Sequence, residues 1–333
     1  RRSRQSFVLQ CCFSSKTFAM STTESFAPMD TEIGSRLSQE RVSRLEEALQ
    51  KCKEGFPAVA IALVDTKGLL HAAASGSIGG ESASPSRCIF PVASISKTIV
   101  AGLCLQCSDR RELDLDKDVN EFLPSECAVY NPSFPDKHVT PRHLLTHRSG
   151  LCDDESPLYP GIWRTEGVDC ETTLAEYVHR RLNPASDMFE PWLWSRASEP
   201  GAAPWHYSNA GFAVLGLALE TVSGVGQGGL QQLARDRLFR PLEMSSSSFL
   251  LAPLLQLPDA QLALPHGPAA ARAGASPAHY GVCEYPAAGL RSTALDLARW
   301  LRALVDPGSA PAVLSAASLE EMLPQGEHCE GGL

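Results

Sequence analysis

The sequence lacks any apolar run approaching the roughly 18–20 residues that a membrane span requires. It also lacks an excess of positive charge, because 38 acidic residues outnumber 29 basic ones and give a formal net charge of -9. A nucleic-acid-binding protein is expected to carry a basic face, and none stands out after the first residues. These absences predict a protein with no transmembrane segment and no nucleic-acid partner.

Cysteines are present, but they lack the regular spacing of a disulfide framework. The chain has 11 of them, an odd number scattered over 333 residues, and a chain of this length can build a core without covalent staples. This usage favours a reducing, intracellular compartment. Cys104 and Cys107 have the spacing of a redox or zinc pair. They fall late in an apolar helix, where the dipole opposes a thiolate, and no second pair exists, so we interpret them as small core residues.

The first 23 residues contain four basic residues, several serines and no acidic residue before Glu24. That composition is typical of a transit peptide. A second interpretation is that Met20 is the true start and that the stretch before it is translated upstream sequence. The predicted location is therefore cytoplasmic, or mitochondrial or plastid if residues 1–23 are a genuine transit segment.

Hydrophobic periodicity predicts a helix and a β-hairpin, followed by a mainly helical region. The first helix covers residues 37–53, and the hairpin joins Ala58–Val64 to Leu69–Ala73 through a turn. A loop is predicted over residues 75–89, and irregular structure over the Ala/Pro-rich residues 251–287. Further helices are predicted from Ser94 onward and over residues 141–147, 173–182, 210–223, 228–239 and 292–305.

Residues 224–229 match the letters of the dinucleotide-binding pattern G-x-G-x-x-G. That motif needs a strand before it, whereas here a helix precedes it. The match predicts only a loop between two helices.

Ser94 and Lys97 are candidates for a nucleophile and its base. A serine at the start of a helix lies at the positive end of the dipole, which favours an alkoxide and an oxyanion. A residue three positions on shares that helix face, and burial disfavours the charge of a lysine there. The alternative is a surface lysine at a helix end, since a lone S-x-x-K is expected about once by chance in such a chain. The position of Lys97, in the first turn of an otherwise apolar helix, favours the chemical interpretation.

Tyr207 and Asn209 form a second candidate constellation. Side chains two positions apart in a loop project to the same side, so the phenol of Tyr207 and the amide of Asn209 could converge on one pocket. The phenol would move a proton between Ser94 and a leaving group, while the amide would hold Lys97 and a substrate carbonyl. The alternative is a tyrosine that covers the core, with Asn209 as a helix N-cap.

These segments, in this order, resemble the serine β-lactamase and penicillin-binding-protein superfamily, which also contains D-alanyl peptidases and related esterases. Ser94-x-x-Lys97 resembles its first motif and Tyr207-Ser208-Asn209 its second. The likeness runs from about residue 37 to about residue 325. Flanking segments that resemble the class C-like branch lie at residues 113–116, 144–151, 240–244 and 288–296.

The resemblance implies an α/β plus all-α, β-lactamase/transpeptidase-like fold, in which an antiparallel sheet is flanked by helices and a helical domain is inserted. Residues 1–36 would be an N-terminal extension, either disordered or transit-like. The β-lactamase-related domain would span residues 37–333. Its α/β part would be residues 37–93 and 285–333, and residues 94–284 would be mainly helical.

The resemblance also implies roles for single residues. Ser94 would be acylated, Lys97 and Tyr207 would manage its proton, and Asn209 would bind substrate. The backbone N–H of Ser94 would form half of the oxyanion hole. His147 is a candidate general base by residue type, but the resemblance implies that its segment is structural.

A third family motif, a Lys or His followed by a small residue and Gly on a late strand, does not stand out. The nearest matches, residues 266–267 and 328–331, have the wrong context or spacing. The chain is therefore expected to be a C-terminally truncated member whose final strands are missing. A hairpin at 58–73 without those strands would be marginal and would expose an edge.

The predicted function is a serine hydrolase that acts through a Ser94 acyl-enzyme on a small ester, amide, D-amino-acid peptide or β-lactam, with an ester or peptide preferred. No cofactor and no metal are predicted, because no His/Asp/Glu cluster has ligand spacing. The alternative is a catalytically silent, β-lactamase-like scaffold or binding protein. The sequence does not determine the oligomeric state.

Overall fold

The computed structural model describes residues 7–8, 35–53, 56–152, 163–164, 167–264, 279–306 and 313–323. The chain divides into two compact units. The first unit comprises Arg1–Val92, Leu238–His279 and Arg291–Val313, and the second comprises Ala93–Arg237, Tyr280–Leu290 and Leu314–Leu333. The domain boundaries inferred from the sequence stay a prediction.

The first unit contains a four-stranded antiparallel sheet in the order β1-β2-β3-β4. Its strands are β1 (Phe7–Val8), β2 (Ala58–Asp65), β3 (Gly68–Ile78) and β4 (Glu81–Ser82). The tight β2–β3 turn is closed by a bond from the Lys67 N–H to Asp65 Oδ1 at 2.6 Å. The hairpin is thus not left as two strands, because β1 pairs with one of its edges and β4 with the other.

Helices and a second sheet complete the first unit. The helices are α1 (Gln39–Lys53), α7 (Leu251–Leu254) and α9 (Ala294–Val305), and the second sheet has the order β7-β5-β9, from Gln261–Leu262, Cys88–Pro91 and Arg291–Ser292. α9 begins after Thr293, whose side chain caps the helix by accepting a hydrogen bond from the Asp296 N–H. Leu295 and Ala298 of α9 pack on Ala62 and Val64 of β2, burying one face of the sheet.

The second unit is mainly helical. Its helices are α2 (Ser96–Asp109), α3 (Pro141–Leu145), α4 (Leu174–Leu182), α5 (Asn209–Ser223), α6 (Gly229–Ala234), α8 (Tyr285–Ala288) and α10 (Ala316–Met322). A short antiparallel pair joins β6 (Trp163–Arg164) to β8 (Gly281–Val282). α5 is buried over most of its length and packs against α2, α3, α4, α6 and α8, so that it forms the centre of this unit.

Several local predictions need correction. β3 and β4 run into the stretch predicted as a loop, and the stretch 251–287 contains α7, β7, β8 and α8. β4, α7, β7, β8 and α8 have two to four residues each, too few for a periodic pattern, so tertiary contacts decide them. α10 was not predicted, and the helix predicted over residues 228–239 divides into α6 and a π-helical turn at Arg235–Phe239.

Some sequence features lie outside the described residues. These are the transit-like segment, apart from Phe7–Val8, and the two stretches considered for the third motif. None of the described helices is long and apolar enough to cross a membrane.

Candidate active site

Ser94 lies in a tight turn immediately before α2. The turn Ala93–Ile95 is a 3-10 helix, and α2 itself begins at Ser96, so the serine precedes the α-helix rather than opening it. Ala93 has φ 46°, in the left-handed region that a residue with a Cβ rarely adopts. The Ser96 hydroxyl donates to the Ala93 carbonyl at 2.5 Å and thereby braces the turn. The turn leaves Ser94 exposed at the positive end of α2.

Tyr207 and Asn209 flank the start of α5. The N-cap is Ser208, whose hydroxyl accepts from the Gly211 N–H at 2.8 Å. Asn209 is the first helical residue, so its amide is not used as the cap and can face the site. This corrects the alternative interpretation of Asn209 as the N-cap.

His147 braces the segment that carries Tyr207. Its Nδ1 accepts from the Ser208 N–H at 3.0 Å, and its carbonyl accepts from the His206 N–H at 2.9 Å. Its ring lies 4.8 Å from the Tyr207 ring, centroid to centroid. An Nδ1 that accepts from the backbone is occupied, so these contacts give His147 a role in holding the Tyr207 segment in place.

The side chains of Ser94, Tyr207 and Asn209 surround the ammonium of the fourth candidate, Lys97. Lys97 Nζ lies 2.6 Å from Tyr207 Oη, 2.8 Å from Asn209 Oδ1 and 3.3 Å from Ser94 Oγ. A fourth oxygen, the Ala287 carbonyl, lies 3.0 Å away. The hydroxyls of Ser94 and Tyr207 are also in hydrogen-bond contact. The structure therefore brings together all four residues that the sequence singles out.

Lys97 is almost withdrawn from water, with 7% of its surface exposed. The desolvation cost of a buried ammonium is offset where oxygen acceptors replace water, and here hydroxyl, amide and carbonyl oxygens do so. The faces of the Tyr207 and Phe212 rings lie 4.5 Å and 5.4 Å from Nζ and add cation–π attraction. A proton can pass between Ser94, Tyr207 and Lys97 without large movements, because each adjacent pair is already in contact.

Two participants could not be found by sequence reasoning. Ala287 contributes only its carbonyl, which leaves no signature in residue type, and Phe212 reads as one apolar residue among many in α5. The segment at residues 288–296 resembles the family, and that was the one available signal that this part of the chain approaches the site.

The two motifs that the sequence analysis set aside, the cysteine pair and the glycine-rich stretch, have structural explanations. Cys104 and Cys107 are buried in α2, and burial raises the pKa of the Cys107 thiol to about 12, far from a reactive thiolate. Residues 224–229 connect α5 to α6, with Gly224 in the left-handed conformation that ends α5. Across the described ranges, no cluster of three or more His, Cys, Asp or Glu residues is placed to hold a metal ion.

Comparison with known proteins assigns the sequence to a family. The sequence model of the Beta-lactamase family matches residues 42–328. The chain belongs to the β-lactamase family. The family predicted from the motifs is thereby confirmed.

One curated relative of this β-lactamase-family chain is Esterase EstB of Burkholderia gladioli. The two are 29% identical over 303 residues, which cover 82% of this chain and 72% of the esterase. A match to penicillin-binding protein 4* of Bacillus subtilis (strain 168) is 28% identical over 138 residues, which cover 41% of this chain and 26% of that protein.

Solved structures confirm the β-lactamase/transpeptidase-like fold, with helices and small antiparallel sheets. The octameric penicillin-binding protein homologue from Pyrococcus abyssi superposes with a TM-score of 0.64 at 22% identity, over 84% of this chain and 59% of that one. This chain thus spans less than two thirds of that structure. The D-amino acid amidase from Ochrobactrum anthropi SV3 gives a TM-score of 0.63 at 21% identity, over 85% of this chain and 74% of the amidase.

Proposed function

We propose that the protein is a serine hydrolase that forms a covalent acyl-enzyme on Ser94. The observation that carries the proposal is the contact of one exposed serine hydroxyl with both a tyrosine hydroxyl and a buried lysine. A serine hydroxyl is a weak nucleophile until a neighbouring group accepts its proton, and here the Tyr207 oxygen, itself in contact with Lys97, is in reach.

In the proposed acylation, Ser94 Oγ attacks the substrate carbonyl carbon while its proton passes to Tyr207 Oη. Tyr207 acts as a phenolate in this step, stabilised by the Lys97 ammonium 2.6 Å away, so that its oxygen can take the Ser94 proton. The backbone N–H of Ser94 donates to the oxyanion of the tetrahedral intermediate. Tyr207 then protonates the leaving group as the carbon–leaving-group bond breaks.

Deacylation repeats these steps with water as the nucleophile. Water attacks the ester carbonyl and gives a proton to Tyr207. Tyr207 then returns this proton to the Ser94 oxygen as the bond between Ser94 and the acyl carbon breaks. Asn209 supports both halves in two ways: its Oδ1 holds Lys97 in place, and its amide would donate a hydrogen bond to the substrate carbonyl region.

The proposed substrates are small esters, amides, D-amino-acid peptides or β-lactams, with esters and peptides preferred. The names of the relatives support this range, because they include an esterase and a D-amino acid amidase. A panel of a short-chain nitrophenyl ester, a D-alanine anilide and a chromogenic cephalosporin ranks these classes by kcat/KM. An intracellular location stays a prediction from cysteine usage.

Covalent labelling tests the proposal. A fluorophosphonate or fluorescent penicillin is expected to label the protein, and peptide mass spectrometry is expected to find the adduct on Ser94. The label is expected to vanish in Ser94→Ala and to fall sharply in Lys97→Ala. Ser43→Ala, which removes an exposed serine of α1, is the matched control and keeps the label. An unlabelled wild-type protein with intact fold favours a silent scaffold instead.

A further inference from the structure

The Ala287 carbonyl holds the lysine, yet no property of the Ala287 side chain places it there. It is the third residue of α8, a helix of four residues. A helix this short is not stable by itself, so its position depends on the residues that anchor it. The question is which side chains keep this carbonyl 3.0 Å from Lys97 Nζ.

Tyr285, the first residue of α8, is anchored to α5. Its hydroxyl donates to Glu220 Oε1 at 2.5 Å, and the same oxygen accepts from the Gly228 N–H at 2.9 Å. Glu220 is 4% exposed, so this hydrogen bond is shielded from water. Burial raises the pKa of Glu220 and of the Tyr285 phenol, as expected for a pair in an apolar environment. A hydrogen bond of this kind is costly to break, because it leaves a buried polar atom unpaired.

One face of α5 carries both this anchor and a direct ligand of Lys97. Asn209, Gly216 and Glu220 are separated by seven and four positions, which places them along a single stripe of the helix. Asn209 contacts Lys97, and a Cβ added at Gly216 would lie 2.2 Å from Cγ of Pro286, the second residue of α8. α8 thus packs directly on the backbone of α5, with Glu220 on about the third turn beyond Asn209.

A second anchor fixes the residue before α8. Glu284 is buried, accepts a hydrogen bond from the Tyr177 hydroxyl and lies 3.6 Å from the Arg181 guanidinium, both on α4. The backbone entering α8 is therefore held by α4, while its first turn is held by α5. The Glu220–Tyr285 bond is a side-chain hydrogen bond that joins the first residue of α8 to α5.

We propose that Glu220 is a positioning residue that acts through Tyr285 to hold the Ala287 carbonyl against the Lys97 ammonium. This role rests on the proposed function, since it matters for catalysis only if Lys97 takes part. No ligand or substrate touches Glu220 in the scheme. Its effect on the reaction is transmitted by the position of one backbone dipole.

Three variants test the role by separating the hydrogen bond from the packing. Tyr285→Phe removes one oxygen atom, Glu220→Leu removes the acceptor, and Glu220→Gln keeps a carbonyl acceptor for Tyr285 and Gly228. For the first two we expect kcat to fall on the order of tenfold to a hundredfold with little change in KM. Withdrawal of a carbonyl from the ammonium also favours its deprotonation, so the alkaline limb of the pH–rate profile is expected to move to lower pH. Glu220→Gln is expected to restore both.

Tyr130→Phe, at a half-buried tyrosine outside this network, is the matched control and is expected to behave like wild type. An unchanged kcat and pH profile in Tyr285→Phe would overturn the role of Glu220. A loss of activity that only parallels a lower Tm, with an unmoved pH profile, would overturn it as well. A wild-type protein that fails the Ser94 labelling refutes the proposed function instead, so the two failures are distinguishable.

A different observation carries a second inference: the Sγ atoms of Cys170 and Cys283 lie 2.8 Å apart. Cys170 is partly exposed and Cys283 is buried, where burial raises the pKa of its thiol to about 12. The backbones also approach closely, because a Cβ added at Gly281 would lie 2.4 Å from the Cys170 nitrogen. Only a small further approach separates these thiols from bonding distance.

We infer that Cys170 and Cys283 form a reversible disulfide when a disulfide oxidant such as oxidised glutathione is present. The Cys170 thiolate attacks the oxidant, releasing one glutathione thiolate and leaving a mixed disulfide. The Cys283 thiol then gives its proton to water and attacks the Cys170 sulfur. The bond between Cys170 and glutathione breaks, and the second glutathione leaves as a thiolate that is protonated by water. Two protein thiols are oxidised, and one glutathione disulfide is reduced to two thiols.

Peptide mapping after treatment with oxidised glutathione tests the pair. A Cys170–Cys283 cross-linked peptide that disappears with dithiothreitol is expected, and Cys283→Ser is expected to stop at the glutathione adduct on Cys170. Glutathionylation of the partly exposed Cys52 shows that the oxidant was active. Its presence without any cross-linked peptide contradicts the inference.

Discussion

At the residue scale, the site depends on a lysine whose surroundings replace water with oxygen atoms. Lys97 lies in α2, and four oxygens surround its Nζ. Two belong to Tyr207 and Asn209 at the start of α5, one to Ser94, and the fourth is the Ala287 carbonyl. Because Tyr207 touches both Lys97 and Ser94, its hydroxyl is the centre of the proposed proton path.

The first residue-scale prediction concerns that hydroxyl. Tyr207→Phe keeps the ring and its contact with His147, but it removes the proton carrier. We expect kcat for the best ester of the panel to fall by a factor of about 10² to 10⁴, the range typical of a lost general acid or base, with KM nearly unchanged. Steady-state kinetics measure both constants, and a kcat within twofold of wild type contradicts the assignment.

A second residue-scale prediction concerns the strained turn. Ala93 holds φ 46°, so a β-branched residue there meets a steric penalty that glycine avoids. Ala93→Val is expected to lower the free energy of unfolding by about 1–3 kcal/mol, whereas Ala93→Gly stays close to wild type. Urea denaturation measures both, and equal stability of the two variants shows that the turn carries no strain.

At the element scale, short caps and turns position the candidate site residues at the starts of α2 and α5. Ser208 caps α5 and at the same time donates its N–H to His147, so one residue fixes both the helix start and the Tyr207 loop.

This double role predicts a paired result. Ser208→Ala is expected to lose about 1 kcal/mol of stability, typical of a lost N-cap, and also to lower kcat because Tyr207 and Asn209 shift. Ser315→Ala removes the cap of α10, whose hydroxyl accepts from the Ser318 N–H at 3.0 Å. It is expected to lose similar stability without the loss in kcat. Equal kinetic effects in the two variants refute a specific role for the α5 cap.

The elements also show what sequence alone can provide. α1, the β2–β3 hairpin and α5 were predicted because their apolar positions repeat over many residues. The strands β7 and β8 and the helix α8 have two to four residues, too few to carry a pattern, and are decided by the partners they meet. The four site side chains were singled out by type and spacing together with the family resemblance, which also implied their roles. The Ala287 carbonyl and the Glu220 anchor depend on three-dimensional proximity that leaves no local signal in the sequence.

At the scale of the whole molecule, the buried side chain of His71 links the free energy of unfolding to pH. His71 lies in β3, and burial lowers its pKa despite the opposing influence of Glu46. Since the folded-state pKa lies below the unfolded value of about 6.5, protonation favours the unfolded chain. The stabilising contribution is therefore complete above that pH and is lost as the pH falls below it.

The corresponding prediction is a shallower acid limb in His71→Leu. Between about pH 7 and about pH 5, the free energy of unfolding of wild type is expected to fall more steeply than that of the variant, which has no proton to gain at this position. Guanidinium denaturation at a series of pH values measures both curves. Parallel curves contradict the assignment of this pH dependence to His71.

The central claim is the covalent intermediate, and acid-quench mass spectrometry measures it most directly. Rapid mixing with an activated ester, followed by quenching and digestion, is expected to show the peptide containing Ser94 heavier by one acyl group. The adduct is expected to be absent in Ser94→Ala and to accumulate more slowly in Lys97→Ala. Turnover of the ester by wild type with the acyl group on another residue, or with no acyl group at all under any quench time, contradicts the account.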